Sequence, residues 1–203
     1  MAKIKIGVLV SGRGSNLQAI IDAAKKGEIA ADIAVVVSNV PGAFALERAK
    51  KAKIPAVVVD SKAYDKKEAY EAEIIRVLQS HKVDLVCLAG YMKLITPRIM
   101  AEFHNRIMNI HPALLPAFPG LHVQKKALEY GVKVSGCTVH FVDEGTDTGP
   151  IIIQAAVPVL EADTEESLSA RILKEEHKIY PKAIDLFAKG KLKVEGRRIK
   201  VKR

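Results

Sequence analysis

The chain has 203 residues, 49% of them apolar and 5% aromatic, with no Trp, and a formal net charge of +9. That length and apolar share exclude a disordered chain and predict one domain over residues 1–203 with an aliphatic core of Val, Ile, Leu and Ala. No apolar run approaches the roughly 18 residues of a membrane span and no charged-then-apolar leader opens the chain, so a soluble, cytoplasmic protein is expected.

Ile4–Val10 is a short apolar run ending at a Gly-containing turn and reads as a strand buried on both faces. Leu17, Ile20, Ile21 and Ala24 follow at the i, i+3, i+4, i+7 spacing of an amphipathic helix, and Gly27 stands where a C-terminal cap belongs. Residues 33–37 read as a second strand, 43–51 as a second helix and 56–59 as a third strand. A long helix is expected over 66–80, with Tyr70, Ile74, Val77 and Leu78 on its inner face, and then a fourth strand over 83–88. Such βαβ repetition demands a mostly parallel, doubly wound sheet with helices on both faces and a Rossmann-like first half.

Further on, Pro97 fits the first position of a short helix. Residues 106–110 read as a strand, and the stretch from 111 to 120 is rich in Pro and apolar residues without periodicity. Residues 133–142 alternate like a strand and 151–159 like its partner, joined by the polar loop 143–150. Thr164 is placed to cap a helix from Glu165 to about Lys189, with a possible break at Pro181. Leu192 to Val194, Glu195-Gly196 and Arg198 to Val201 suggest a closing hairpin. Neither repeat nor linker is visible, so a single domain is expected, with halves at about 1–100 and about 101–203.

Basic residues are scattered over expected helix surfaces, and only the tail from Lys189 to Arg203 is strongly basic. Few aromatics interleave with them, which argues against nucleic acid and for a field that attracts small anions. Cys87 and Cys137 lie inside apolar runs and read as buried thiols, outside any zinc or CxxC spacing.

Two loops carry chemistry. Ser11-Gly12-Arg13-Gly14-Ser15-Asn16 joins the first strand to the first helix. Glycines permit a tight turn, and a helix N-terminus offers free N–H groups and a positive dipole end, so the loop is either an anion site or a plain turn capped by Ser15 or Asn16. It matches neither the dinucleotide fingerprint nor the Walker loop. In Met108-Asn109-Ile110-His111-Pro112, alternation along a strand turns Asn109 and His111 the same way. They supply an amide donor and a proton carrier at the carboxyl edge where open α/β sheets bind ligands. A carboxylate from the acidic loop 143–150 is expected to orient the imidazole and raise its pKa. The bland readings are a structural His before Pro and a solvated turn. A metal site of His111, His140 and Asp147 has no recognised ligand pattern behind it, and none is expected. His81, His104 and His122 read as surface or loop residues.

Gly12-Arg13-Gly14-Ser15-Asn16-Leu17-Gln18-Ala19-Ile20, Asn109-Ile110-His111-Pro112-Ala113-Leu114-Leu115-Pro116 and Pro119-Gly120-Leu121-His122 resemble the folate-dependent glycinamide ribonucleotide transformylases. So do residues 136–142, Asp147-Thr148-Gly149-Pro150-Ile151 and Glu176-His177-Lys178-Ile179-Tyr180-Pro181, in order over about residues 4 to 195. The His-Pro-x-Leu-Leu-Pro element is shared by several folate formyl enzymes, and the Gly-Ser-Asn-Leu loop points to this family. The resemblance implies the formyltransferase fold and transfer of a formyl group from 10-formyltetrahydrofolate to glycinamide ribonucleotide in purine biosynthesis. It implies small-molecule partners, no nucleic acid, no membrane, and a monomer or homodimer.

By the same resemblance Asn109, His111 and Asp147 match the catalytic trio, and Gly14, Ser15 and Asn16 the phosphate loop. Glu176 matches a residue that holds the ribose hydroxyls. Lys67, the run Met92, Lys93, Leu94 and Ile95, Asn109, and the run Asp143, Glu144, Gly145, Thr146 and Asp147 match folate contacts. Leu173 stands where some members carry a polar or basic side chain near the phosphate; Lys174 and Arg13 are its nearest basic substitutes. Rivals are a formyltetrahydrofolate hydrolase, a transformylase of initiator methionyl-tRNA, and a non-catalytic nucleotide- or RNA-binding module.

Overall fold

The structure is a computed structural model that describes residues 3–202; Arg203, which ends the basic tail, lies outside the described residues. The chain forms two compact units, Met1–Met108 and Asn109–Arg203.

In the first unit four strands, β1 (Ile4–Val10), β2 (Ala31–Ser38), β3 (Ala56–Val58) and β4 (Leu85–Leu88), lie in the order β3-β2-β1-β4. β1 pairs in parallel with β2 and β4, and β2 in parallel with β3. The helices between them are α1 (Ser15–Lys25), α2 (Phe44–Lys51) and α3 (Lys67–Ser80), with α4 (Pro97–Glu102) after β4. Order 3-2-1-4 is that of a Rossmann-like half, as the βαβ pattern predicts. Val8, Leu9 and Val10 of β1 and all four residues of β4 are buried, which explains apolar runs without alternation. Leu17, Ile20 and Ile21 of α1 and Tyr70, Ile74, Val77 and Leu78 of α3 are the buried faces expected from periodicity. Each such aliphatic side chain stabilises the fold by about 1.5–3 kcal/mol.

β5 (Ile107–His111) runs across the division and delivers its last three residues to the second unit. There β6 (Val134–Phe141) pairs antiparallel with β7 (Ile151–Pro158). β8 (Leu192–Glu195) and β9 (Arg198–Val201) form the expected hairpin, and β9 joins β7 in parallel at Ile151 and Arg198. The 24-residue α6 (Glu165–Ala188) packs on β6 and β7. Thr164 caps it, in a capping box closed by Ser167. The helix is not broken at Pro181: that residue is buried within it, among Tyr180, Ala183 and Ile184.

α5 (Val123–Tyr130) is a helix that periodicity did not reveal. It is two turns long and buries only Val123 and Ala127, too few positions to make a pattern. Its stop signal, Gly131 at φ 80°, was present in the sequence. Among the described residues no helix is long and apolar enough to cross a membrane.

Candidate functional site

In the first unit, the glycine loop leaves β1 and enters α1 through Gly14. Gly14 has φ 69°, and a Cβ there would stand 2.6 Å from the Cβ of Ala45 in α2, so only glycine fits. The loop's carbonyls are held on the α2 side. Ala45 N–H donates to Gly12 O at 3.0 Å, and Arg48 Nε donates to Arg13 O at 2.9 Å. In a trans peptide the N–H points opposite its C=O. The N–H groups of Arg13 and Gly14 therefore face away from α2, in line with the first turn of α1. The N-cap position falls on Gly14, which has no side chain to offer as a cap. Uncapped N–H groups at a dipole's positive end suit a phosphate. Arg13 is exposed; Arg48 is half-buried, reaches Gln18 Oε1 at 3.0 Å, and lies over the Phe44 ring.

Met92, Lys93 and Leu94, after β4, are exposed and Ile95 is half-buried. Lys67 is exposed, 3.9 Å from the buried Glu71 carboxylate. Beside it the hydroxyls of Tyr70 and Tyr91 meet at 2.6 Å, and burial is the main reason both phenols are pushed up in pKa.

In the second unit, Asn109, His111 and Asp147 converge, and His140 joins them. Asp147 Oδ2 lies 3.4 Å from His111 Nδ1, and its Oδ1 3.6 Å from His140 Nε2. Gly120 N–H donates to Asp147 Oδ2 at 2.9 Å. Asn109 Nδ2 spans His140 Nε2 at 3.2 Å and Asp147 Oδ1 at 3.4 Å. Two main-chain carbonyls set the ring protons, since a carbonyl only accepts. His140 Nδ1–H donates to Phe141 O at 2.8 Å, which leaves Nε2 to accept from Asn109. His111 Nε2–H donates to Phe118 O at 2.9 Å, so the proton that His111 gains or loses resides on Nδ1, opposite Asp147.

Burial, the largest influence, holds the His111 pKa below its usual value, although the Phe118 carbonyl and the Asp147 carboxylate push it upward. The expected rise from the carboxylate is thus present but outweighed. Burial likewise pushes Asp147 upward, and there the opposing contacts win: hydrogen bonding, the Gly120 N–H included, holds it below the usual carboxylate range.

The non-periodic stretch after His111 is pinned by two side chains from the antiparallel pair. Thr138 Oγ1 donates to Ala113 O at 2.7 Å and accepts from Leu115 N–H at 3.0 Å. Gln154 Nε2 donates to Leu115 O at 2.9 Å. The acidic loop folds on Asp143, which accepts from Gly145 N–H at 3.2 Å and Thr148 Oγ1 at 2.5 Å. Glu144 and Thr146 are exposed. Gly149 packs where a Cβ would collide with the Phe141 carbonyl. In α6, Glu176 is buried, Leu173 half-buried and Lys174 exposed. Among the described residues no group of three or more His, Cys, Asp or Glu side chains is arranged to hold a metal.

His140 is the member that sequence reasoning set aside. Its in-phase alternation with Thr138 in a strand of wholly inward residues was the available signal. His81, His104 and His122 are not buried, as expected of surface and loop residues.

An α/β unit with a glycine loop at a helix N-terminus, followed by a part-buried Asn–His–Asp cluster, is an arrangement suited to binding an anion and moving a proton. A model of the formyl transferase family matches residues 4–184, and the chain belongs to that family. It is 46% identical over 191 residues to the phosphoribosylglycinamide formyltransferase of Escherichia coli (strain K12), covering 94% of this chain and 90% of that one. It is 52% identical over 188 residues, 92% of its length, to the trifunctional purine biosynthetic protein adenosine-3 of Drosophila melanogaster, of which it spans 14%. The crystal structure of glycinamide ribonucleotide transformylase 1 from Symbiobacterium toebii superposes with a TM-score of 0.98 at 56% identity, covering 100% of this chain and 95% of that one.

Proposed function

We propose that the chain transfers the formyl group of 10-formyltetrahydrofolate to the amine of glycinamide ribonucleotide, a step of purine biosynthesis, with its two units working as one formyltransferase domain. The observation that carries this reading is the cluster of Asn109, His111 and Asp147, completed by His140, in a chain of this family.

The acceptor's amine attacks the formyl carbon and a tetrahedral intermediate with a developing oxyanion forms. Asn109 donates to that oxyanion. Of its two amide contacts, the 3.4 Å one to Asp147 is the weaker and yields first, while His140 keeps the amide oriented. His111, neutral at rest, takes a proton from the intermediate's ammonium on Nδ1 and passes it to the departing folate nitrogen. Asp147 faces Nδ1 and stabilises the imidazolium while it lasts. The carbon–nitrogen bond to folate breaks, leaving the formylated amine and tetrahydrofolate. Joint binding of both substrates supplies much of the acceleration.

For the substrates, the phosphate is assigned to the N–H groups of Gly14, Ser15 and Asn16, with Arg13 adding charge, and the ribose hydroxyls to Glu176. Lys67, Met92, Lys93, Leu94, Ile95, Asn109 and the loop from Asp143 through Glu144, Gly145 and Thr146 to Asp147 are assigned to the folate. The enzyme is placed in the cytoplasm, as a monomer or homodimer with small-molecule partners.

The test is a formyl-transfer assay with a 10-formyl folate and glycinamide ribonucleotide, alongside no-acceptor and His111→Ala controls. Acceptor-dependent turnover that disappears in the variant is the expected result. Folate turnover without acceptor replaces the transferase by a hydrolase.

A further inference from the structure

Ser11, the first residue of the glycine loop, has no assigned role above, yet it joins three loop starts of the first unit. Its N–H donates to Gly90 O at 3.1 Å. Its hydroxyl donates to Asn39 Oδ1 at 2.5 Å and accepts from the Met92 N–H at 2.7 Å. Asn39, just beyond β2, is 8% exposed, and its own N–H donates to Val10 O at 3.4 Å. Ser11 thus stands where the phosphate loop begins and holds the main chain of Met92, where the assigned folate run begins.

We infer that Ser11 is a positioning residue that fixes the folate run to the base of the phosphate loop, so that ordering either loop favours binding at the other. The inference rests on the functional reading above. The hydroxyl suits the task because it donates and accepts at once. Asn39 Oδ1, buried and acceptor-only, fixes the hydroxyl hydrogen and thereby aims a lone pair at the Met92 N–H. An alanine would leave both partners unmatched, and the run 92–95, mostly exposed, has few other groups to restrain it.

The experiment compares wild type, Ser11→Ala, Ser11→Thr and Asn39→Ala for KM of both substrates, kcat, and amide hydrogen exchange across residues 91–96. Ser11→Ala is expected to raise both KM values by up to about tenfold, the loss of one well-made hydrogen bond. Its kcat at saturation should stay within about threefold, and exchange at Met92 should rise by a similar factor. Ser11→Thr restores both readouts, because it keeps the hydroxyl. Asn39→Ala moves the folate KM and the exchange in the same direction by less. A merely structural role would lower the folded fraction, and so kcat, with KM unmoved; that outcome overturns the inference, as does unchanged exchange at Met92. A wild-type enzyme without turnover discards the functional reading and the substrate coupling with it. The exchange data then show independently whether Ser11 holds the loop.

Discussion

The amide of Asn109 and the ring of His111 make separate demands that single substitutions isolate. Asn109→Ala removes the donor that the proposed mechanism aims at the oxyanion, a group typically worth about 10²–10³ in kcat. Steady-state kinetics should show that loss with both KM values changed little, since the interaction forms only as the oxyanion develops. Near-normal turnover would take Asn109 out of the mechanism. His111 has a second signature. Its folded pKa is depressed below 6.5, chiefly by burial, so between the two values the unfolded chain binds more protons. The stability it contributes is present above about pH 6.5 and lost as pH falls through the folded value. Melting temperatures should therefore rise from about pH 5 to pH 7 more steeply in wild type than in His111→Gln. Parallel curves would show that His111 is not held neutral. Alternation along one strand was enough to foresee that Asn109 and His111 face the same way, and both lie at Asp147. The place of His140, and the commitment of both rings to the carbonyls of Phe118 and Phe141, depend on contacts across 7 and 1 residues that no periodicity encodes.

At the level of elements, the sequence was most legible where burial imposed a period. The inner faces of α1 and α3 and the unbroken apolar runs of β1 and β4 follow from it. Turn chemistry was enough for the β8–β9 hairpin. α5, with two buried positions, was beyond that kind of reading, and Pro181 misled because burial against the second unit's core outweighs the break a proline usually makes. α6 also offers a test of a cap. Thr164 Oγ1 accepts from the Ser167 N–H at 3.2 Å, and Ser167 Oγ accepts from the Thr164 N–H at 3.0 Å. Thr164→Ala should lower the unfolding free energy by about 1 kcal/mol in urea titration with an unchanged m-value. Glu176 stands about three turns further along at 3.6 residues per turn, so fraying at the first turn should leave the acceptor KM unaltered. A raised acceptor KM in this variant would mean that Glu176 and the cap move together.

For the whole molecule the relevant quantity is the net charge of +9, facing the proposed acceptor and donor, which both carry anionic groups. A field of that sign raises the encounter rate of anions, and its reach is set by the Debye length, about 30 Å at 0.01 M salt and about 8 Å at 0.15 M. Screening acts on capture and leaves the bound complex largely untouched. Over that salt range kcat/KM for glycinamide ribonucleotide should fall by about tenfold while kcat holds steady. Arg13 within the glycine loop and Arg48 beside it should account for part of the slope, and Arg13→Gln should flatten it. Arg13 is the cleaner probe: its side chain is exposed, whereas Arg48 also holds the loop's main chain. If kcat/KM is flat with salt, the charge does not serve capture. The RNA-binding reading then regains its footing, and a salt-dependent affinity for single-stranded RNA becomes the result to look for.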